Sequence, residues 1–267
     1  MKAKSIRNLS LYFEEGEEAA AELIASASER SLDIIQDLWE LEAPALCRVY
    51  ILTSWRSFLF HSAPWPWRVY LAATLPLRSA RLQKVWDMAG GWTQPYGRQW
   101  VIGIKPPRLL QKVDTGLRGR VFIRREVGEW VQHNTCHELV HACSGHLRLP
   151  AWLQEGLAMV TVDRFAGRQT VKPETLEALI KQTHKTEPQR ANFPDPDILL
   201  YLAVRGYWIT RFLADLKPGL LREQLVRRQP HAALEAALAA GLDMDPGDFW
   251  TQIDKLVAAH YKGISIL

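Results

Sequence analysis

Cysteine is scarce in this chain. The three present, Cys47, Cys136 and Cys143, cannot all pair with one another. On a shared helix Cys136 and Cys143 stand about two turns apart, too far for a disulfide within it. Unpaired thiols point to a reducing compartment. Long apolar runs are lacking as well, so no segment is expected to span a bilayer. The N-terminal Met1 to Arg7 carries bases but leads into Glu14 and Glu15, not into the apolar core of a signal peptide. The expected location is therefore cytoplasmic, with no membrane partner. No internal repeat and no low-complexity tract occurs, which excludes solenoids and arrays.

What is present suits a globular protein. A chain of 267 residues, 48% hydrophobic and 23% charged, has material for a sizeable core in one large domain or two intimate subdomains. Eleven tryptophans are unusual, and Trp55, Trp65, Trp67, Trp86, Trp92 and Trp100 cluster. Core packing is their expected use, with a substrate groove as the alternative. The net charge of +4 conceals an asymmetry. Glu14 to Glu42 is acidic with Arg30 its only base, whereas Arg98, Lys105, Arg108, Lys112, Arg118, Arg120, Arg124 and Arg125 form a basic run. No nucleic-acid motif accompanies that run, so solvated loops and attraction to the acidic helix account for it better than a nucleic-acid surface does.

Periodicity orders the elements. Ala20, Leu23, Ile24, Ala27, Leu32, Ile35 and Leu38 recur at helical spacing over residues 17–42, with Pro44 as the stop. Leu46 to Leu52 alternates like a strand, and Thr53 or Ser54 caps a short helix through Phe60. Pro64 and Pro66 mark a loop, Leu82 to Met88 a helix ending at Gly90-Gly91, and Trp100 to Ile104 a second strand. Val121 to Ile123 is either a third strand or the lead into a helix. Helices follow at about 152–161, from Pro173 to about His184, at 198–216, 220–228 and 231–240, and a last one opens at Asp245-Pro246. Glu187 to Asp197, with three prolines, is expected to be irregular.

One stretch carries chemistry. His137-Glu138-Leu139-Val140-His141 places two imidazoles one helical turn apart on the same face, a geometry that suits a tetrahedral Zn²⁺. Glu138, next around the helix, can take a proton from a water at the metal without itself binding the ion. Leu139, Val140 and Ala142 make this a buried helix, in which unpartnered polar groups cost a few kcal/mol each, and a metal meets that need. Glu155, in Pro150-Ala151-Trp152-Leu153-Gln154-Glu155-Gly156, is the candidate third ligand. The rival is His146, but Ser144 and His146 stand three and five residues after His141, a register that does not fit the third histidine of metzincins. Gly145 reads as a left-handed helix end, and His146 as a cation beside it. His133, one turn upstream, reads as an outer partner or a solvent-facing side chain.

H-E-x-x-H followed by P-x-W-L-x-E-G-x-A resembles the gluzincin metallopeptidases, the thermolysin-like clan. The resemblance is firm over about residues 133–160. It implies His137, His141 and Glu155 as zinc ligands and Glu138 as general base. It further implies an α+β, zincin-like catalytic domain, with a small N-terminal mixed sheet, flanking helices and a mainly helical C-terminal half around an active-site cleft. Residues 1–132 would form the sheet subdomain and 133–267 the zinc-binding helices and bundle, as one catalytic unit. An edge strand of the sheet, taken as Trp100 to Ile104, would bind extended substrate. The clan's oxyanion-binding Tyr falls at Ala203 here, leaving Tyr207, Tyr201 or Arg205 to replace it. Asp163 is offered as an acceptor for His137 or His141. The expected activity is zinc-dependent hydrolysis of a peptide or protein. The alternatives are a non-catalytic zinc-stabilised interaction module, a nucleic-acid-associated protease, and a deformylase-like amidase with Cys47 as ligand.

Overall fold

A computed structural model describes residues 1–51, 53–112, 119–181 and 196–262. The chain divides into two compact units. One comprises Met1–Ile35, Glu42–Gly116 and Arg124–Cys143, the other Gln36–Leu41, Leu117–Ile123 and Ser144–Leu267. The helix that carries Glu138 belongs for most of its length to the first unit, where Thr93 of the sheet donates to its carboxylate.

The first unit is built on a five-stranded mixed sheet in the order β1-β2-β3-β5-β4. Strands β1 (Lys2–Ile6) and β2 (Leu9–Phe13) form an antiparallel hairpin. Arg7 at its turn has φ 50°, the left-handed geometry that a tight hairpin turn demands. Leu9, Leu11 and Phe13 are buried while Ser10 and Tyr12 are half-buried, the period-two pattern of a sheet with one covered face. Parallel to β2 runs β3 (Cys47–Ile51), followed by β5 (Gln99–Ile104). Strand β4 (Gly91–Tyr96) closes the sheet, antiparallel to β5. Trp100 to Ile104 therefore lies inside the sheet, and the edge beside it is β4. Pro95 is tolerated there because an edge strand can spare an N–H.

Helix α1 (Glu18–Trp39) buries Ala20, Ile24, Ala27, Leu32 and Ile35. It ends at Glu40, whose φ of 57° breaks the helix before Pro44 is reached. Its acidic face meets the β1–β2 hairpin through Glu18–Lys2, Glu22–Lys4 and Asp33–Arg7. Being exposed, each of these pairs is worth at most about 1 kcal/mol. The basic run is partly spent inside the unit. Arg108 donates to Glu17, Arg125 to His133 and the buried Lys105 to the carbonyl of Trp86.

Helix α2 (Trp55–Ser62) starts at Ser54, whose Oγ accepts from the Ser57 N–H at 3.1 Å. Pro64 and Pro66 do not make a loop. They bracket the start of α3 (Trp65–Met88), where a missing N–H costs nothing, and the expected short helix is the end of this longer one. Tyr50, Trp55, Phe58, Leu59, Tyr96 and Val101 form a buried cluster, with Trp86 and Trp92 packed on it. The tryptophan cluster thus divides, since Trp65 and Trp67 are exposed. A short α4 (Pro107–Leu110) follows, and α5 (Val127–Ser144) is the H-E-x-x-H helix.

The second unit is helical: α6 (Ala151–Ala166), α7 (Glu174–Lys181), α8 (Pro196–Leu216), α9 (Pro218–Gln224), α10 (His231–Gly241) and α11 (Phe249–Lys262). Val121 to Ile123 makes a single bridge there, Phe122 with Val171, and not a full strand. Helices α6 and α8 approach at two glycines. A Cβ at Gly156 would overlap Thr210 and the carbonyl of Gly206, and one at Gly206 would overlap the carbonyl of Trp152. Trp39 joins this unit through a bond from its Nε1 to Thr161 Oγ1 at 2.8 Å. The expected end of α7 near His184, most of the 187–197 loop and Arg118 lie outside the described residues. The protein is thus α+β, an N-terminal mixed sheet followed by a mostly helical remainder. Among the described residues no helix is long and apolar enough to cross a membrane.

Candidate metal centre

Burial fixes how α5 presents its polar residues. Leu139, Val140, Ala142 and Cys143 are fully buried, so the helix is set by its apolar side. His137 and His141 then share a half-buried stripe one turn apart. Their Nε2 atoms are 3.0 Å apart, with ring centroids at 4.6 Å and planes at 85°. Two nitrogens bound tetrahedrally to one Zn²⁺ lie about 3.3 Å apart, so the pair needs little adjustment to hold an ion. One ligand atom each from His137, His141 and Glu155 lies within 4.8 Å of the others, and this is the one such group found among the described residues. Two imidazoles and a carboxylate are a donor set that fits Zn²⁺, and nothing in it distinguishes zinc from other metals that take the same donors.

Glu155 owes its place to the start of α6. Pro150 precedes the first helical residue, and Gln154 Nε2 donates to the Leu149 carbonyl at 2.6 Å, holding the entry turn. Gly156, next to Glu155, is the residue that lets α8 approach. The E-G pair of the motif thus joins a donor to the glycine that positions its helix.

Glu138 is buried, and strand β4 is its neighbour. Thr93 Oγ1 donates to Glu138 Oε2 at 2.6 Å and lies 3.1 Å from the main-chain oxygen of the same residue. A Cβ at Gly91 would stand 2.6 Å from Glu138 Cγ and 2.8 Å from Oε1. Neither Gly91 nor Thr93 stands out in the sequence. Gly90-Gly91 reads as a helix stop, and a strand containing Pro95 without apolar alternation leaves no periodic signal.

The flanking histidines separate from the group. His133 is buried, and its Nδ1 lies 2.6 Å from Arg125 Nη1. Guanidinium only donates, so that nitrogen accepts and the ring does not face solvent. His146 is exposed, in the turn Gly145–Leu147, and outside the ligand group. The left-handed residue after α5 is Arg148, with φ 52°, and not Gly145.

The other candidates belong to a polar network of the second unit. Asp163 Oδ1 accepts from the Thr170 N–H and from Thr170 Oγ1, each at 2.7 Å, and Oδ2 accepts from the Tyr207 hydroxyl at 2.6 Å. Arg211 Nη1 donates to the Tyr207 oxygen at 2.7 Å. Asp163 is therefore an acceptor for Thr170 and Tyr207, not for a ligand histidine. Tyr207 is fully buried with its hydroxyl given to that carboxylate, which leaves no proton for an oxyanion in this arrangement. Burial pushes the Asp163 carboxyl above its ordinary value although the Tyr207 and Thr170 bonds pull it down, and burial beside Asp163 pushes Tyr207 upward too. Arg205 is fully buried, paired with Asp254 at 3.0 Å and set over the Trp250 ring at 5.0 Å, the role of a core cation. Tyr201 is half-buried, its hydroxyl pushed up to about 12 by burial. Cys47 is buried, its thiol pushed up to about 12, and it is no part of the ligand group.

No protein-family model matches this sequence, and no match to it was found among curated proteins or solved structures.

Proposed function

We propose that this protein is a zinc-dependent peptide hydrolase of gluzincin type, with a zincin-like fold. The observation that carries the reading is the convergence of His137, His141 and Glu155 on a common point, with a carboxylate, Glu138, next in sequence to the first of them. His137, His141 and Glu155 would hold a Zn²⁺ that, when bound, would supply Lewis acidity for the scissile carbonyl and lower the pKa of a water to about 7. Glu138 would take a proton from a water as its oxygen bonds to the carbonyl carbon, and would return it to the amine nitrogen as the C–N bond breaks. Holding Glu138 in a buried site, with one oxygen engaged by Thr93, favours a fixed direction for this transfer. Glu155 contributes a negative charge to the ligand set, which keeps the net charge of the centre lower than a third imidazole does.

Two observations favour a second reading, a zinc-stabilised interaction module without catalysis. Ala203 stands where the clan has its oxyanion-binding Tyr, and Tyr207 is committed to Asp163. Replacement of Glu138 by Gln separates the readings. A hydrolase keeps its zinc and loses peptide cleavage, whereas a module shows no cleavage before or after the change. Cleavage by the Gln variant at the wild-type rate overturns the proposed mechanism.

A further inference from the structure

We infer that Thr93 and Gly91, two positions of the edge strand β4, are positioning residues for the general base Glu138. The inference rests on the hydrolase reading for its catalytic consequence, but its geometry stands independently. Residues 91 and 93 are two apart in a strand and so point to the same face of the sheet. Each meets Glu138 in a different way. Thr93 spends its single hydroxyl proton on Oε2, the shorter of its two contacts, and touches the main-chain oxygen of the residue whose side chain it holds. It therefore fixes the carboxylate relative to its own helix turn. Gly91 acts by lacking a side chain, since any Cβ there would occupy the space of Cγ and Oε1.

A glutamate side chain has three rotatable bonds, and a base that must meet one particular water tolerates little misdirection. Displacement by about 1 Å can cost about a hundredfold in rate. Thr93 neither gives up nor gains a proton in the reaction. Other groups also surround Glu138, so Thr93 is one support among several, and its removal weakens catalysis without abolishing it.

The test uses the full chain with Thr93→Val, Thr93→Ser and Gly91→Ala. Thr93→Val keeps the branched shape that suits a strand and deletes the hydroxyl. It should keep about one zinc per chain and a near-normal KM while kcat falls roughly tenfold or more. Thr93→Ser restores the donor and should recover most of that loss, which a purely structural role for the Thr methyl does not predict. Gly91→Ala should lower kcat further with zinc retained. A crystal structure of the metal-free Thr93→Val protein supplies a readout besides activity, with the Glu138 carboxylate expected to leave the position defined by β4. Wild-type kcat in Thr93→Val, an equal loss in Thr93→Ser, or an unmoved carboxylate in those crystals overturns the inference. If the wild-type protein cleaves no peptide, the hydrolase reading fails, and the carboxylate position still decides whether β4 orients Glu138.

Discussion

Gly91 lies against Glu138 and Gly156 follows Glu155 on its helix, yet the two make room for different things. At Gly91 the space is filled by the side chain of Glu138. At Gly156 it is filled by Thr210 and by the backbone carbonyl of Gly206 on α8. A side chain can move aside at modest cost, whereas two helix backbones cannot separate locally without losing the packing on both sides. The first glycine is therefore a matter of chemistry and the second a matter of stability, although both border residues of the H-E-x-x-H and E-G motifs.

The largest effect expected from this contrast is on rate. Glu138→Gln should reduce peptide hydrolysis by about a hundredfold or more with zinc content and unfolding midpoint unchanged, measured by peptide cleavage, elemental analysis and denaturant titration. Next in size is Gly156→Ala, which should cost about 3 kcal/mol because its obstacle includes backbone. Its midpoint in urea shows this directly, and a midpoint like that of the wild type breaks the contrast. Tyr207→Phe should cost about 1–2 kcal/mol by leaving the half-buried Asp163 short of a donor. If Tyr207 serves the oxyanion instead, the same variant loses kcat at normal stability. Gly91→Ala should cost less than Gly156→Ala, because its obstacle is the side chain of Glu138 and includes no backbone.

The smallest effect sharpens the picture of the first unit's core. Burial pushes the Cys47 and Cys136 thiols up to about 12, so at pH 8 both remain protonated and shielded in the folded protein. A thiol reagent should modify neither until the chain is denatured. Rapid modification of the native protein contradicts their burial.

The helices were largely legible because burial imposes a 3.6-residue period on them. Ala20 to Ile35 announces α1, and the apolar neighbours of His137 announce α5. Legibility fails where local signals conflict with position in the fold. Pro64 and Pro66 read as a loop, but the first turn of a helix needs no N–H, and α3 begins there. Pro95 argues against a strand, but an edge strand spares one, and β4 goes unread. The N-terminal hairpin turns at Arg7-Asn8, a pair without the glycine that usually marks such a turn. In the candidate centre, His137, His141 and Glu155 are legible as a group because a metal site would call for those residue types at that spacing, and their ligand atoms lie within 4.8 Å of one another. Thr93 and Gly91 are not, since they meet Glu138 only through a sheet edge some forty residues away in sequence. Asp163 and Tyr207 each invite a role at the metal by residue type, and their mutual hydrogen bond is visible only in three dimensions.

The proposed hydrolysis depends first on His137, His141 and Glu155 holding a metal, which metal analysis reads out. Purified wild-type protein and Glu155→Ala should be compared by elemental analysis without added zinc. About one zinc per wild-type chain is expected, lost or greatly weakened in the variant. Full zinc occupancy without Glu155, or no metal in the wild type even after zinc is supplied, would contradict it.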